Sequence, residues 1–303
     1  MVQIKKYLPG IQNHLSPAIA DQKRNSPSQG SSIPSRITGA ILLVALMTTI
    51  TGHVQAQELD APYVSTPHAV VDKMLDLAGV GPGDYVIDLG SGDGRIVIAA
   101  ARRGAVGHGV ELNPELVDKA QRNAAENGVS GRVMFLEEDI FETDFSQASV
   151  ITMYLLSTVN IELRPRLLNM LEPGTRIVSH SFSMGAWEAD EILRLEGRNL
   201  YYWVIPADAE GEWQWETDGM SFHMSASQEF QNVSATMHYD GQELFVDQVD
   251  LKGSRLTILT ENLRNGDRFV FSGRVHADRI TGTVQIHNEN HRQIRPWTAV
   301  RGL

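Results

Sequence analysis

Residues 86–95 read Val-Ile-Asp-Leu-Gly-Ser-Gly-Asp-Gly-Arg, with Ile-Val-Ile-Ala-Ala-Ala following directly. β-Branched residues running into an acid, then glycines at 90, 92 and 94, then an apolar helical face, predict a strand, a tight turn and a helix N-terminus. Glycines allow the backbone of such a turn to approach a ligand closely, and the free N–H groups of the helix start attract negative charge. A dinucleotide site calls for Gly-x-Gly-x-x-Gly beside a pyrophosphate. Here Gly90, Gly92 and Gly94 alternate with Ser91 and Asp93, and Asp88 stands two residues before the first glycine. That acid suits a nucleoside-bearing cofactor with a cationic end.

The elements that must position this turn follow at regular intervals. Val106–Glu111 reads as a second strand ending in an acid, 21 residues beyond Gly90. A carboxylate there can accept both hydroxyls of a ribose. Asn113-Pro114 opens a helix reaching about Asn127, with Leu116, Val117, Ala120 and Ala124 at helical spacing and proline where its missing N–H does no harm. Val133–Ile140 is a third strand carrying Asp139. Asp88, Glu111 and Asp139 then fall at the carboxyl ends of successive strands, where open α/β sheets bind ligands. Each acid alone could be a helix cap or a solvated side chain. Ala148–Leu155 is a nearly continuous apolar run, as in a strand buried on both faces. A helix over 160–171 and a strand over Arg176–Phe182 come next, and Leu200–Ile205 with Glu212–Trp215 are expected to close the sheet as an antiparallel hairpin.

These residues resemble motif I and its companions in the class I, seven-β-strand S-adenosylmethionine-dependent methyltransferases. The resemblance implies an α/β, Rossmann-like seven-stranded sheet and S-adenosylmethionine as cofactor. It implies cofactor contacts from Asp88, Gly90, Ser91, Gly92 and Glu111, with Asp139 on the adenine amino group and the Ile140 N–H against the ring. Ala61-Pro-Tyr63-Val-Ser-Thr66-Pro67, the amphipathic helix after it, Glu111-Leu-Asn-Pro and Pro-Gly-Thr-Arg-Ile-Val-Ser-His resemble a narrower branch. It contains the lysine methyltransferases of the ATP synthase c-ring protein and bacterial homologues. In that branch Tyr63 and Thr66 would sit over the methionine end of the cofactor; Thr66 or Ser65 could equally cap the helix beginning near Pro67.

Methyl transfer is an in-line displacement that depends on positioning, and a base is needed only where the acceptor must lose a proton. Enzymes that methylate planar amide or adenine nitrogens carry Asn/Asp-Pro-Pro-Tyr/Phe after the fourth strand. Here that stretch is Tyr154-Leu-Leu-Ser-Thr-Val-Asn160, which argues against such acceptors. Tyr154 could line the acceptor channel and Asn160 could hydrogen-bond there. His180 is the candidate base because its ordinary pKa lies near neutrality, although a histidine in an apolar run is also an ordinary core residue. Trp187, Tyr201, Tyr202, Trp203, Trp213 and Trp215 could form an aromatic wall for a cation, or simply pack. The acceptor implied is a protein lysine or a small molecule. Two other readings stand beside it, a noncatalytic nucleoside-binding scaffold carrying a β-rich domain and a nicotinamide oxidoreductase.

The chain has 303 residues, no cysteine and a formal charge of −11. An acidic body disfavours nonspecific nucleic-acid binding. No paired Cys/His spacing announces a metal. Residues 1–56 combine a basic flank, an apolar stretch over 37–52 and Val54-Gln-Ala56, which reads as a secretory signal with export of the rest to the periplasm or medium. The apolar stretch is short for a membrane span, so no span is expected after cleavage, and an uncleaved N-terminal anchor is the alternative reading. The methyltransferase domain is expected over 57–216 and a β-rich accessory domain over 217–303. In the latter, Asp240-Gly241 and Asn265-Gly266 signal hairpins between alternating segments, a small antiparallel sandwich or barrel.

Overall fold

The computed structural model describes residues 64–195, 197–288 and 291–302. Tyr63 and the whole signal-like segment lie outside them. Alternating Val86, Ile87, Asp88 and Leu89 send side chains to opposite faces of β1 (Tyr85–Leu89), and both faces are covered. On one face Val86 packs with Val70, Val71, Met74 and Leu75 of α1 (His68–Leu77) and Ile96 of α2 (Arg95–Arg102). On the other, Ile87 and Leu89 pack with the helix after the fourth strand, through its Leu163 and Leu167.

The chain continues through β2 (Val106–Glu111), α3 (Pro114–Glu126), β3 (Val133–Glu137), β4 (Val150–Met153), α4 (Ser157–Met170) and β5 (Arg176–His180). Then come β6 (Glu191–Leu195) and β7 (Arg198–Val204), giving one seven-stranded sheet in the order β3-β2-β1-β4-β5-β7-β6. β1 to β5 run parallel and β7 enters antiparallel between β5 and β6. This is the seven-stranded mixed sheet expected of the α/β class.

Two expectations about the sheet need correcting. The closing hairpin is β6–β7, turned at Gly197 with φ +77, and Glu212–Trp215 takes no part in it. Glu191–Leu195 gives little signal in the sequence, because Arg194 interrupts its apolar residues and, as an edge strand, it buries little surface. Asp139 also lies beyond β3, which ends at Glu137; the Asp139 carboxylate accepts from the Phe141 N–H (2.8 Å), closing a turn that leaves the strand early.

Glu212–Trp215 belongs to β8 (Gly211–Thr217), the first strand of a closed antiparallel barrel. β9 (Met220–Glu229), β10 (Asn232–Tyr239), β11 (Gln242–Lys252), β12 (Arg255–Glu261), β13 (Arg268–His276), β14 (Arg279–His287) and β15 (Arg292–Arg301) follow, each paired with the next, and β15 returns to β8. Trp213, Trp215, Phe222, Phe269, Phe271 and Trp297 fill its interior. Asp240-Gly241 is the expected two-residue turn, with φ +46 and +77. Asn265-Gly266 instead closes a longer loop, in which the Gly266 N–H donates to the Asn262 carbonyl.

The aromatic wall does not form. Trp187 and Trp203 are buried beneath α4 with Ile87 and Leu89, Trp213 and Trp215 are inside the barrel, and Tyr201 and Tyr202 face opposite sides of β7. Burial of large rings within two separate cores outweighed any shared surface.

Candidate active site

The turn after β1 is built on positive backbone angles. Gly90, Gly92 and Gly94 have φ +77, +54 and +79, values at which a side chain is strained. A Cβ on Gly94 would also lie 2.6 Å from the Phe135 ring, and one on Gly90 would lie 2.8 Å from Leu155 just after β4. The turn is pinned to β2, since the N–H groups of Gly90 and Ser91 both donate to the Val110 carbonyl (2.9 Å). Glu111 uses both carboxylate oxygens on the same task, accepting from the N–H groups of Gly92 (2.9 Å) and Asn113 (3.0 Å). Spacing along the chain predicts Glu111 at a ribose; what the fold shows is a brace for the glycine turn.

Asp88 is 2% exposed on the α1/α2 face of β1. Parallel pairing sets it opposite Thr152 of β4, whose hydroxyl donates to it at 2.7 Å. Burial pushes the Asp88 carboxyl up to about 8, helped by the charges of Glu111 and Asp93 and opposed by the Thr152 hydrogen bond. A carboxylate buried beside two like charges is stabilised by a cation. The ammonium and sulfonium of S-adenosylmethionine have the required sign, so the residues present fit that cofactor. Thr152 was not singled out from sequence; its signal was a polar residue within the apolar run of β4, in register with Asp88.

A second missed group ties the turn to the entry segment. Asp93 and Arg95 form a bidentate ion pair (2.8 and 2.6 Å), and Arg95 also donates to the Thr66 carbonyl at 2.8 Å. Asn123 of α3 donates to the Asp93 carbonyl at 2.8 Å. Thr66 is not a helix cap, because Pro67 occupies the cap position of α1 with no side-chain bond and the Thr66 hydroxyl faces elsewhere.

That hydroxyl shares a 3.2 Å hydrogen bond with His180 Nδ1, across 114 residues of sequence. His180 ends β5 and is 1% exposed, with its ring 4.0 Å from Tyr154 between centroids. Thr66, Tyr154 and His180, expected separately, thus form one cluster beside Leu155 and the glycine turn. Burial, with the Arg198 charge behind it, holds His180 down at about 4. The imidazole is therefore neutral at physiological pH, and its Nε2 is buried without a hydrogen-bond partner among the described residues.

The strand stops at His180 because Ser181 takes φ +66 and the Phe182 N–H donates to the His180 carbonyl at 2.9 Å, a γ-turn. This replaces the strand expected through Phe182. Asn160 lies inside α4, which begins three residues before it. Its side-chain NH2 donates to Ser179 Oγ and to the Phe182 carbonyl, both at 3.2 Å. The Asn160 NH2 thus secures this turn, while its Oδ1 is buried without a hydrogen-bond partner among the described residues. Phe182 turns its ring to Tyr154 at 5.9 Å, and both rings are half-buried. Asp139 and Ile140 are half-buried beyond β3, next to the strand that carries Glu111. Among the described residues no group of His, Asp and Glu is arranged to hold a metal ion.

A family model described as the ANTKMT methyltransferase domain matches residues 88–191, ending before the barrel begins. A protein-lysine N-methyltransferase of Saccharolobus islandicus is 46% identical over 147 residues, 47% of this chain and 90% of that protein. The adenine nucleotide translocase lysine N-methyltransferase of Mus musculus is 36% identical over 131 residues, 43% of this chain and 57% of that protein. Among solved structures, an RNA methyltransferase from Salinibacter ruber in complex with S-adenosyl-L-homocysteine is 54% identical. It matches 48% of this chain and 95% of its own, with a TM-score of 0.48.

Proposed function

The chain belongs to the S-adenosylmethionine-dependent protein-lysine methyltransferase family, and from that premise we propose that it methylates the side-chain amine of a lysine in a protein. The observation that carries this reading is the acceptor-side cluster. Half-buried Tyr154 packs against a neutral His180 on one side and half-buried Phe182 on the other, at the carboxyl ends of β4 and β5, with β4 beside the strand bearing Asp88. Aromatic rings accommodate the aliphatic stem of lysine and attract its ammonium.

S-adenosylmethionine supplies a methyl group activated by its sulfonium. The chain's task is to hold the acceptor nitrogen in line with it and unprotonated, since only a lone pair can form the new N–C bond. Tyr154 and Phe182 offer an apolar surface that shields a lysine laid against them from water, which lowers its pKa. The proton lost from the ammonium leaves to solvent. His180, held far below a lysine's pKa, serves as a neutral hydrogen-bonding group toward Thr66 and is too weak to hold that proton. Asp88, Gly92 and Glu111 would hold the cofactor, Asp88 toward its amino group and Glu111 toward its ribose.

The test uses the full chain, methyl-labelled S-adenosylmethionine, lysine-bearing protein acceptors and an RNA arm, with Glu111→Ala as the binding-defective control. Label recovered as methyl-lysine after acid hydrolysis, and absent with Glu111→Ala, supports the reading. Label confined to RNA, or none in any arm despite cofactor binding, overturns the lysine assignment.

A further inference from the structure

The tips of the barrel's hairpins differ in a way the barrel itself does not require. The β8–β9 and β10–β11 turns are Asp218-Gly219 and Asp240-Gly241, with φ +51/+75 and +46/+77, residue types that tolerate the left-handed region. The β9–β10 turn is Phe230-Gln231, and Phe230 holds φ +54, an unusual conformation for a bulky side chain.

Phe230 is accounted for by what its ring touches outside the barrel. It stacks on Trp187 at 5.9 Å and 20°, and the Arg164 guanidinium of α4 lies 5.2 Å over it. Gln231 completes the grip, accepting from Trp187 Nε1 and donating to the Glu188 carbonyl, both at 2.8 Å. Trp187 and Glu188 end the segment that starts at the His180 γ-turn. The middle of that segment is held from α4, where Arg164 donates to the Met184 carbonyl at 2.7 Å one helical turn after Asn160 holds Phe182. One end of the segment therefore carries the Phe182 ring and adjoins His180, and the other is clamped by the barrel.

We propose that the β9–β10 tip positions the acceptor side of the methyl-transfer site, with Phe230 and Gln231 as positioning residues that act through Trp187 on the 181–188 segment. The inference rests on the methyltransferase reading and assigns the barrel a role in it. The cofactor side is braced by Glu111, Asp88 and the Asp93–Arg95 pair, which reaches the acceptor cluster through Thr66 rather than through the 181–188 segment, so substitution at the tip acts first on the acceptor side.

The test is Phe230→Asn in the full chain, since asparagine accepts this backbone conformation more readily than phenylalanine and removes only the ring. Phe230→Tyr keeps the ring. With a lysine acceptor, kcat for Phe230→Asn falls by about tenfold to a hundredfold, the scale of a misplaced acceptor. The KM for S-adenosylmethionine stays unchanged, Phe230→Tyr restores kcat, and amide exchange accelerates within 181–188. Wild-type kcat with wild-type exchange overturns the proposal, as does a parallel loss of cofactor binding. Should the wild type turn over no acceptor, the lysine reading fails and exchange alone decides. Faster exchange confined to 181–188 then supports the coupling, and unchanged exchange refutes it.

Discussion

With Asp88 proposed as the anion for the cofactor's amino group, cofactor affinity should depend on pH. In the ligand-free protein its carboxyl is pushed up to about 8 by burial and by the neighbouring Glu111 and Asp93 charges. Binding an ammonium group requires it ionised, so below that pH the site must first release a proton. One pH unit corresponds to about 1.36 kcal/mol. Between pH 7.5 and 5.5 the affinity for S-adenosylhomocysteine should therefore fall about a hundredfold, or about 2.7 kcal/mol. Titration calorimetry in two buffers of different ionisation enthalpy should show about one proton released per ligand bound at pH 5.5, the limit for a single linked site. The same shift acts on stability. A carboxyl whose folded pKa lies above its unfolded value of 3.8 stabilises the fold at low pH, and that contribution is lost as pH rises through about 8. Asp88→Asn should consequently bind S-adenosylhomocysteine weakly and lose the pH slope. Its melting temperature relative to wild type should rise from pH 5 to pH 8. An affinity that stays flat over those two units, with no proton released, would refute the reasoning.

Two further outcomes follow from the same geometry. Gly94→Ala must place a Cβ at φ +79 and 2.6 Å from Phe135, so urea unfolding should show a loss of about 3 kcal/mol from backbone strain and overpacking combined. A loss below about 0.5 kcal/mol, the range of an ordinary surface change, would contradict it. His180, held down at about 4, is neutral from pH 5.5 to 8, and the pH profile of kcat should keep its shape in His180→Asn even though its height falls. Its stability contribution is present above pH 6.5 and lost as pH drops toward 4, so the wild type should be the more acid-sensitive of the two in thermal melts; an inflection near 6.5 that disappears with the histidine would argue for a base.

Much of the cofactor side is a local property of the chain. Three positive φ angles in five residues favour glycine at 90, 92 and 94, and the β-branched run before them together with the apolar helical face after them sets a strand and a helix on either side. Glu111 could be placed from its distance along the chain because a strand–helix–strand unit has a nearly constant length. Period-2 alternation announced β11 to β14, four of the eight barrel strands, because each buries one face in the barrel interior.

Pairing was less legible. Nothing in Glu191–Leu195 distinguishes a sheet edge from a loop, and the alternation of Glu212–Trp215 suits either sheet. Local pattern reports which face of a strand is buried and says little about which strand lies beside it.

A glycine turn between a strand and a helix, acids placed at or just past strand ends, and a change to all-β character from about residue 217 are written in the order of the residues, because each depends on backbone preference or short-range periodicity. Contact between distant parts of the chain settles the rest. It brings Thr152 to Asp88, gathers Thr66, Tyr154 and His180 into one cluster, and lets a barrel turn grip Trp187. The pKa values of Asp88 and His180 belong with these contacts, since solvent exclusion is created by packing residues that lie far apart in the chain.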